Sequence, residues 1–250
     1  MKSTIQSLTL LLATAYAPSI NGAAMPYPEV PVPYPGDLCP PSCAKPLHCL
    51  NAGWDWAYYS NPLRNTGNGD YPGFSPESFK TKEPVYTGVT DTIGGRISDG
   101  TNGVVPVYGS SADLNATYFA LNHHAYLYAC ESGAWQFNVS GVDDGVYVWL
   151  GEPAYTGWTD ENANAKAFWA FDNGTKLGSK SFESQLTGGQ YYPLRVVFGN
   201  GLGIGSFNFT ITSPSGIVVH QSGTDSDYLV RFSCDLEQSA PRFPEFGKET

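Results

Sequence analysis

The stretch Trp135-Gln-Phe-Asn-Val-Ser-Gly-Val-Asp-Asp-Gly-Val-Tyr-Val-Trp-Leu-Gly151 decides the fold class. Ala134 to Ser140 and Gly145 to Leu150 each alternate with a period of two. Successive side chains of a strand point to opposite faces, so this period marks strands. The two runs meet at Asp143-Asp144-Gly145. Asp-Gly is a favoured two-residue loop, so a hairpin turn is the plain reading of that junction. Tyr147 and Trp149 alternate with Val146, Val148 and Leu150, so one set faces the core. They are therefore left out of any candidate site.

Outward from this stretch the texture is uniform. Tyr192 to Phe198 and Ser206 to Thr212 alternate in the same way, and clusters of Gly, Asn, Asp, Ser and Pro separate such runs from Cys49 to Cys234. No long helical period and no internal repeat interrupts them. The expected fold is all-β: one antiparallel β-sandwich or barrel over residues 49–236, long enough to bury a real core. Ahead of it, residues 24–48 are dense in proline, which favours extended polyproline II and a stiff spacer. Residues 237–250 read as a polar C-terminal tail.

The first residues bear on compartment. Lys2, the apolar run Leu8–Ala17, and small residues at Ala15-Tyr16-Ala17 and Gly22-Ala23-Ala24 have the layout of a secretory signal peptide, residues 1–23. The apolar run is too short to span a bilayer. Four Asn-x-Ser/Thr sequons, at Asn115, Asn138, Asn173 and Asn208, predict N-glycosylation in the same compartment. The five cysteines, Cys39, Cys43, Cys49, Cys130 and Cys234, then read as disulfides with one left over. A Cys49–Cys234 bridge would clamp the two ends of the folded region. Cys39 and Cys43 could pair locally, or one of them could reach Cys130. Zinc is a poor competitor, because no paired C-x-x-C set is present.

The net charge is −10, with 14% charged residues, which argues against nucleic acid as partner. Neither a second membrane-length segment nor a hydrophobic tail for a GPI anchor is read here, and no Ser/Thr-rich stalk. The expectation is a monomeric domain that leaves the cell without inserting into a membrane.

A second segment complements the first. In Tyr191-Tyr-Pro-Leu-Arg-Val-Val-Phe-Gly-Asn200-Gly-Leu-Gly-Ile-Gly-Ser206 a strand ends at Phe198 and a glycine-rich loop opens at Asn200. No Lys-Ser/Thr follows, so it is not a phosphate loop. Ca2+ takes about six to eight oxygen ligands from carboxylates, amides and carbonyls. Asp143, Asp144, the Asn200 side chain and carbonyls of the 201–205 loop would supply most of them. The remaining places suit adjacent sugar hydroxyls. His123-His124 lie side by side on a strand, point to opposite faces, and read as structural or surface residues.

Here the chain resembles the fungal GLEYA adhesin domain, a relative of yeast flocculin and epithelial-adhesin lectins in the anthrax protective antigen-like group. The resemblance rests on Gly53-Trp-Asp-Trp-Ala-Tyr-Tyr-Ser-Asn-Pro62, Tyr71-Pro-Gly-Phe-Ser-Pro76, Val142-Asp-Asp-Gly145, Trp149-Leu-Gly-Glu-Pro-Ala-Tyr-Thr-Gly-Trp158 and Tyr191 to Asn200. It covers nearly all of Cys49 to Cys234. It implies a calcium-dependent lectin that recognises glycan ends on other cells or surfaces and takes part in adhesion at a fungal cell wall. It implies paired aspartates, Asp143 and Asp144, joined by a cis peptide and binding Ca2+. Asn200 would be the asparagine ligand, with the carbonyls of Leu202 and Ile204 as backbone ligands. Sugar contacts would come from Asp143, Asp144, Asn200 and Gly203. The aromatic residues Tyr155 and Trp158, in the 154–167 loop, are candidates to stack on a sugar face.

The second loop, Gly-Leu-Gly-Ile-Gly, offers no polar side chain. That feature supports an alternative, a structural wall protein with the same fold and no sugar binding. An enzymatic alternative, a glycoside hydrolase, needs two carboxylates facing each other across a cleft. Asp143 and Asp144 are adjacent and better suited to one metal, so the expectation is a protein that is not an enzyme.

Overall fold

The computed structural model describes residues 43–100, 103–171, 174–235 and 239–249. The signal peptide, most of the proline-dense segment, Cys39 and Asn173 lie outside the described residues. In chain order the strands are β1 (Trp54–Ser60), β2 (Tyr86–Thr90), β3 (Gly95–Asp99), β4 (Val104–Val105), β5 (Leu114–Asn115) and β6 (Tyr118–Ala129). Then come β7 (Gly133–Asp143), β8 (Gly145–Leu150), the single turn α1 (Glu152–Tyr155), β9 (Ala165–Phe168), β10 (Ala170–Phe171) and β11 (Thr175–Lys176). β12 (Gly178–Leu186), β13 (Gln190–Gly201), β14 (Ile204–Thr212), β15 (Val218–Gln221) and β16 (Leu229–Val230) complete the set.

Two antiparallel sheets carry the fold, as the period-two runs predict. A seven-stranded sheet has the order β2-β1-β6-β13-β8-β9, with β16 also paired to β6. A five-stranded sheet has the order β12-β7-β14-β15, with β3 also paired to β14. Their inner faces meet in one apolar core, with Trp54, Trp56, Leu121, Leu127, Val148, Val196 and Phe198 from the first sheet and Trp135, Phe137, Phe207, Phe209 and Ile211 from the second.

The outer face of the larger sheet is covered too. Loop residues Tyr71, Phe74, Phe79 and Trp158 bury Tyr59, Tyr147, Trp149 and Val197 there. Both alternating sets of β8 are therefore buried, not one. Farther along, residues 239–249 form a strap rather than a free tail. Phe243 and Phe246 sandwich the His124 ring at 4.2 and 4.3 Å. Glu249, almost wholly buried, pairs with Arg195, Nη2 to Oε2 being 2.8 Å. The folded unit thus extends past the expected boundary at 236. At the other end, Cys43 bonds to Cys130, and Cys49 bonds to Cys234. His123 donates through Nδ1 to the Val196 carbonyl at 3.0 Å and its Nε2 hydrogen-bonds the Tyr108 hydroxyl at 2.9 Å, while His124 lies under the strap, so both histidines are structural.

Candidate functional site

Two short, direct crossings between the sheets lie at one end of the sandwich. β7 belongs to the five-stranded sheet and β8 to the seven-stranded one, so Asp143-Asp144 is a crossing, not a hairpin turn. The peptide between the two aspartates is cis. The second crossing, Leu202-Gly203, joins β13 to β14. Register places the crossings side by side, with Gly145 opposite Gly199 and Ser206 opposite Asp143.

Hydrogen bonds tie them together. Asp144 Oδ2 accepts from the Gly201 N–H at 2.6 Å, and Oδ1 accepts from Asn65 Nδ2 at 3.0 Å. Asn200 donates through Nδ2 to the Thr117 carbonyl at 2.8 Å, which fixes the amide and turns Oδ1 away from that carbonyl. Asn200 is fully buried, and its Oδ1 has no hydrogen-bond partner. Close approach here needs glycine. A Cβ on Gly201 would lie 2.2 Å from the Tyr71 hydroxyl, and one on Gly205 would lie 3.2 Å from Asn200 Oδ1.

The electrostatics favour a cation. Burial, and then the charge of Asp144, push the Asp143 carboxyl up to about 6. Burial also raises Asp144, partly offset by the hydrogen bonds from Gly201 and Asn65. Neither aspartate forms an ion pair with a described residue. Among the described residues no group of three or more His, Cys, Asp or Glu is placed to hold a metal. The donors here are two carboxylates and an orphaned amide oxygen, all hard oxygen atoms. That set fits Ca2+ rather than a soft or imidazole-seeking metal.

The structure brings Asp143, Asp144 and Asn200 together. Leu202 and Gly203 form the adjoining crossing and Ile204 opens β14; Leu202 adopts φ 123°. Tyr155 and Trp158 do not join them. Leu150, which precedes α1, pairs with Leu194, at the opposite end of β13 from Asn200. Tyr155 packs on Phe243 and Tyr126 of the strap cluster. Trp158 is 0% exposed, packs on Trp149 and donates its indole N–H to Glu249 at 2.7 Å, so no ring face is free for a sugar.

Other residues border the site instead. Asn61, Asn65 and Tyr71 come from the loop after β1: Asn61 Nδ2 donates to the Tyr71 hydroxyl, which donates to the Leu63 carbonyl. Trp169 is half-buried, and its backbone N–H donates to the Asp144 carbonyl at 2.8 Å. Phe171, 61% exposed, lies beside it with ring centroids 6.4 Å apart. No sequence spacing links Asn65 or Trp169 to Asp144: the loop after β1 carries Asn65 there, and the pairing of β9 with β8 within one sheet carries Trp169 there.

Residues 119–213 match the GLEYA domain. A Schizosaccharomyces pombe protein named as a cell agglutination protein is 28% identical over 173 residues, 67% of this chain and 13% of its own length. A second of that name and organism is 39% identical over 80 residues, 32% of this chain and 13% of its own length. This chain therefore spans a small part of these curated relatives. Among solved structures, the A domain of Epithelial Adhesin 6 from Candida glabrata, in complex with Galb1-3GlcNAc, has 19% identity and a TM-score of 0.56, with 76% of this chain and 92% of that chain covered. The A domain of Epithelial Adhesin 9, in complex with Galb1-4GlcNAc, has 16% identity and a TM-score of 0.52, with 70% and 90% covered. At these identities the likeness establishes a shared β-sandwich fold.

Proposed function

Since this chain carries a GLEYA domain on an adhesin-type β-sandwich, we propose that it is a Ca2+-dependent carbohydrate-binding domain that recognises glycan ends and serves adhesion. The buried, unpartnered Asn200 Oδ1 beside the paired aspartates carries this reading. A buried acceptor left unpaired costs roughly 1–3 kcal/mol, and the half-buried Asp143 and buried Asp144 carboxylates add to that cost without a cation. Asp143, Asp144, Asn200 and the carbonyls of Leu202 and Ile204 would hold the ion. Bound there, Ca2+ would supply open coordination positions for two adjacent sugar hydroxyls. The carboxylate oxygens accept hydrogen bonds from those hydroxyls, and the Gly201 and Asn65 donors hold Asp144 in place while they do so. Trp169, whose N–H bonds the Asp144 carbonyl, and the exposed Phe171 beside it offer aromatic surface for the C–H face of a ring. Gly203 leaves the approach to the ion open.

The setting agrees. Two disulfides suit an oxidising, extracellular compartment, and no helix of the described residues is long and apolar enough to cross a membrane. The relatives named for cell agglutination support adhesion to other cells, and the adhesin domains solved with bound saccharides support glycans as the ligands. N-linked glycans are assigned to the sequons, of which Asn115 and Asn208 are exposed and Asn138 half-buried.

A glycan array with Ca2+ and with EDTA tests the reading, alongside Asp144→Ala and Asn200→Ala. Binding that appears only with Ca2+ and disappears in both variants is expected. Equal binding in EDTA would sink the metal role. The exposed, apolar Leu202 and Ile204 favour a second reading, a wall protein with the fold but no sugar site. That reading gains if the protein binds Ca2+ and no glycan.

A further inference from the structure

The sequon Asn115-Ala-Thr117 lies on the chain that leads into β6, at the end of the sandwich that carries the paired aspartates. Asn115 is exposed and stands opposite Val104 in the short β4–β5 ribbon. Its Oδ1 accepts from the Thr117 N–H at 2.8 Å and from the Tyr118 N–H at 2.9 Å. The amide oxygen is thus turned into the start of β6. Nδ2, the atom that carries an N-linked glycan, is turned away from it.

The same turn reaches the candidate site. The Thr117 carbonyl accepts from Asn200 Nδ2 at 2.8 Å and from the Leu202 N–H at 3.1 Å. Tyr118 stands opposite Gly201, whose N–H holds Asp144. Two residues of strand span about 7 Å, so a glycan on Asn115 is rooted about that far from the residue that fixes the Asn200 amide. The surface around that root is apolar and open. Val104 is 59% exposed, and Leu202 and Ile204 are each 40% exposed. They give the C–H faces of a glycan's rings a place to lie, and burying them there is favourable. The sequons at Asn138 and Asn208 differ, since they sit on the face of the five-stranded sheet and not at its end.

We propose that the N-glycan on Asn115 screens the Asp143-Asp144-Asn200 site of its own chain, so that glycosylation of Asn115 sets how readily an outside glycan binds. This inference rests on the carbohydrate-binding reading above. A short tether gives the attached sugars an effective concentration on the order of millimolar at the site. A site covered for about nine-tenths of the time binds an outside ligand about tenfold more weakly.

The test uses the full chain, secreted from a eukaryotic host, with the glycan on Asn115 followed by mass spectrometry. Binding in Ca2+ is read on a broad glycan array and, for lactose and mannobiose, by calorimetric titration. Two routes remove the glycan: Asn115→Gln, and endoglycosidase digestion of the parent, which leaves Asn115 and its turn in place. Both are expected to raise affinity for the array glycans that bind by about tenfold, whereas Asn138→Gln and Asn208→Gln stay within about twofold of the parent. Equal affinities before and after removal overturn the proposal, as does an Asn115 that carries no glycan. A gain in Asn115→Gln that digestion does not reproduce also overturns it, because the turn and not the glycan is then responsible. So does Ca2+-dependent self-association of the parent that vanishes in Asn115→Gln, since the glycan then engages a second copy. Failure of every form to bind any array glycan overturns the carbohydrate-binding reading itself.

Discussion

In the seven-stranded sheet β8 is buried at every position, and β13 is buried from Leu194 to Gly201. In the five-stranded sheet β14 alternates: Gly205, Phe207, Phe209 and Ile211 are buried, while Asn208 is exposed and Ser206 and Thr210 are half-exposed. Both sheets share the same core, and their inner faces are equally apolar. What differs is the other side. The larger sheet lies under the loop after β1, the segment around Trp158 and the 239–249 strap. The smaller one meets water, so its outer residues Gln136, Asn138, Ser140 and Thr210 are small and polar. The covered sheet carries Asn200, and its covering loop supplies Asn65 and Tyr71 to the site. Covering the larger sheet therefore does more than bury area: it builds one wall of the proposed metal site.

The sharpest way to break this comparison is to cut matching outward residues on each sheet. Trp149 points away from the shared core yet is fully buried, so Trp149→Ala should cost roughly 3–5 kcal/mol, as for any large core truncation. Thr210→Ala, equally outward on the other sheet, should stay within about 0.5 kcal/mol. Chemical denaturation of both variants checks this, and similar costs would mean that the strap and loops are not part of the cooperative unit. Next comes the strap's anchor. Arg195 and Glu249 form a pair with almost no exposure, so Glu249→Ala should leave a buried guanidinium uncompensated and cost about 3 kcal/mol or more. Arg195→Met with Glu249→Leu should recover most of that loss, because replacing both partners removes the desolvation cost. A double variant as unstable as the single one would contradict the burial of the pair.

The same contrast explains what could be read from the sequence. Alternation at Ser206–Thr212 and Ala134–Ser140 was enough for antiparallel strands and a sandwich. Asp143, Asp144 and Asn200 were legible because they lie in compact blocks beside strands. Alternation says nothing about whether a strand's second face will be covered. Alternation in β8 predicts that one of its two sets faces the core, whereas both are buried. Residues 239–249 look polar, yet Glu249, Phe243 and Gly247 are shaped to lie on the sheet; a Cβ on Gly247 would sit 2.8 Å from the Lys82 carbonyl oxygen. Trp158 looked available for sugar stacking because nothing local shows that Glu249, 91 residues on, accepts its N–H. Asn65 was invisible for the same reason, since an Asn/Gly-rich loop has no local signature of the carboxylate it will hold.

Burial of the outer face also governs a protonation equilibrium. His124 points outward from its sheet, but burial and the nearby Arg195 hold it well below its ordinary value. The inward His123 and His220 are lowered to about 4, mainly by burial. In the unfolded chain each titrates near 6.5, so the unfolded state takes up protons first. Stability is therefore complete above about pH 6.5 and is lost as pH falls toward 4, by up to about 1.4 kcal/mol per pH unit for each histidine. Asp143 acts the other way without metal. Its folded value is raised to about 6, so protonation below that relieves the fold and offsets part of the loss. Denaturation in EDTA should show the decline set in as pH falls through about 6.5 and run steepest between about pH 6 and 5, blunted there by protonation of Asp143. A slope unchanged in His124→Gln would show that this outward histidine is not sealed under the strap.

The smallest effect belongs to the uncovered sheet. Asn138 pairs across the strands with Thr210, two positions from Asn208, so the two sequons are diagonal neighbours on the open face. A glycan on either would project into solvent, since Asn208 is exposed and Asn138 half-exposed. Asn138→Gln and Asn208→Gln should each remove one glycan by mass spectrometry and change stability by less than about 0.5 kcal/mol. The Asn138 side-chain oxygen also accepts from Ser181 at 2.8 Å, and glutamine's longer chain would strain that contact only slightly, because both residues meet solvent. Ca2+ affinity should not move at all, because the aspartate crossing lies at the sheet's end and not on its face. A loss of several kcal/mol in either variant would mean that something packs on the five-stranded sheet after all, and the asymmetry between the two sheets would have to be given up.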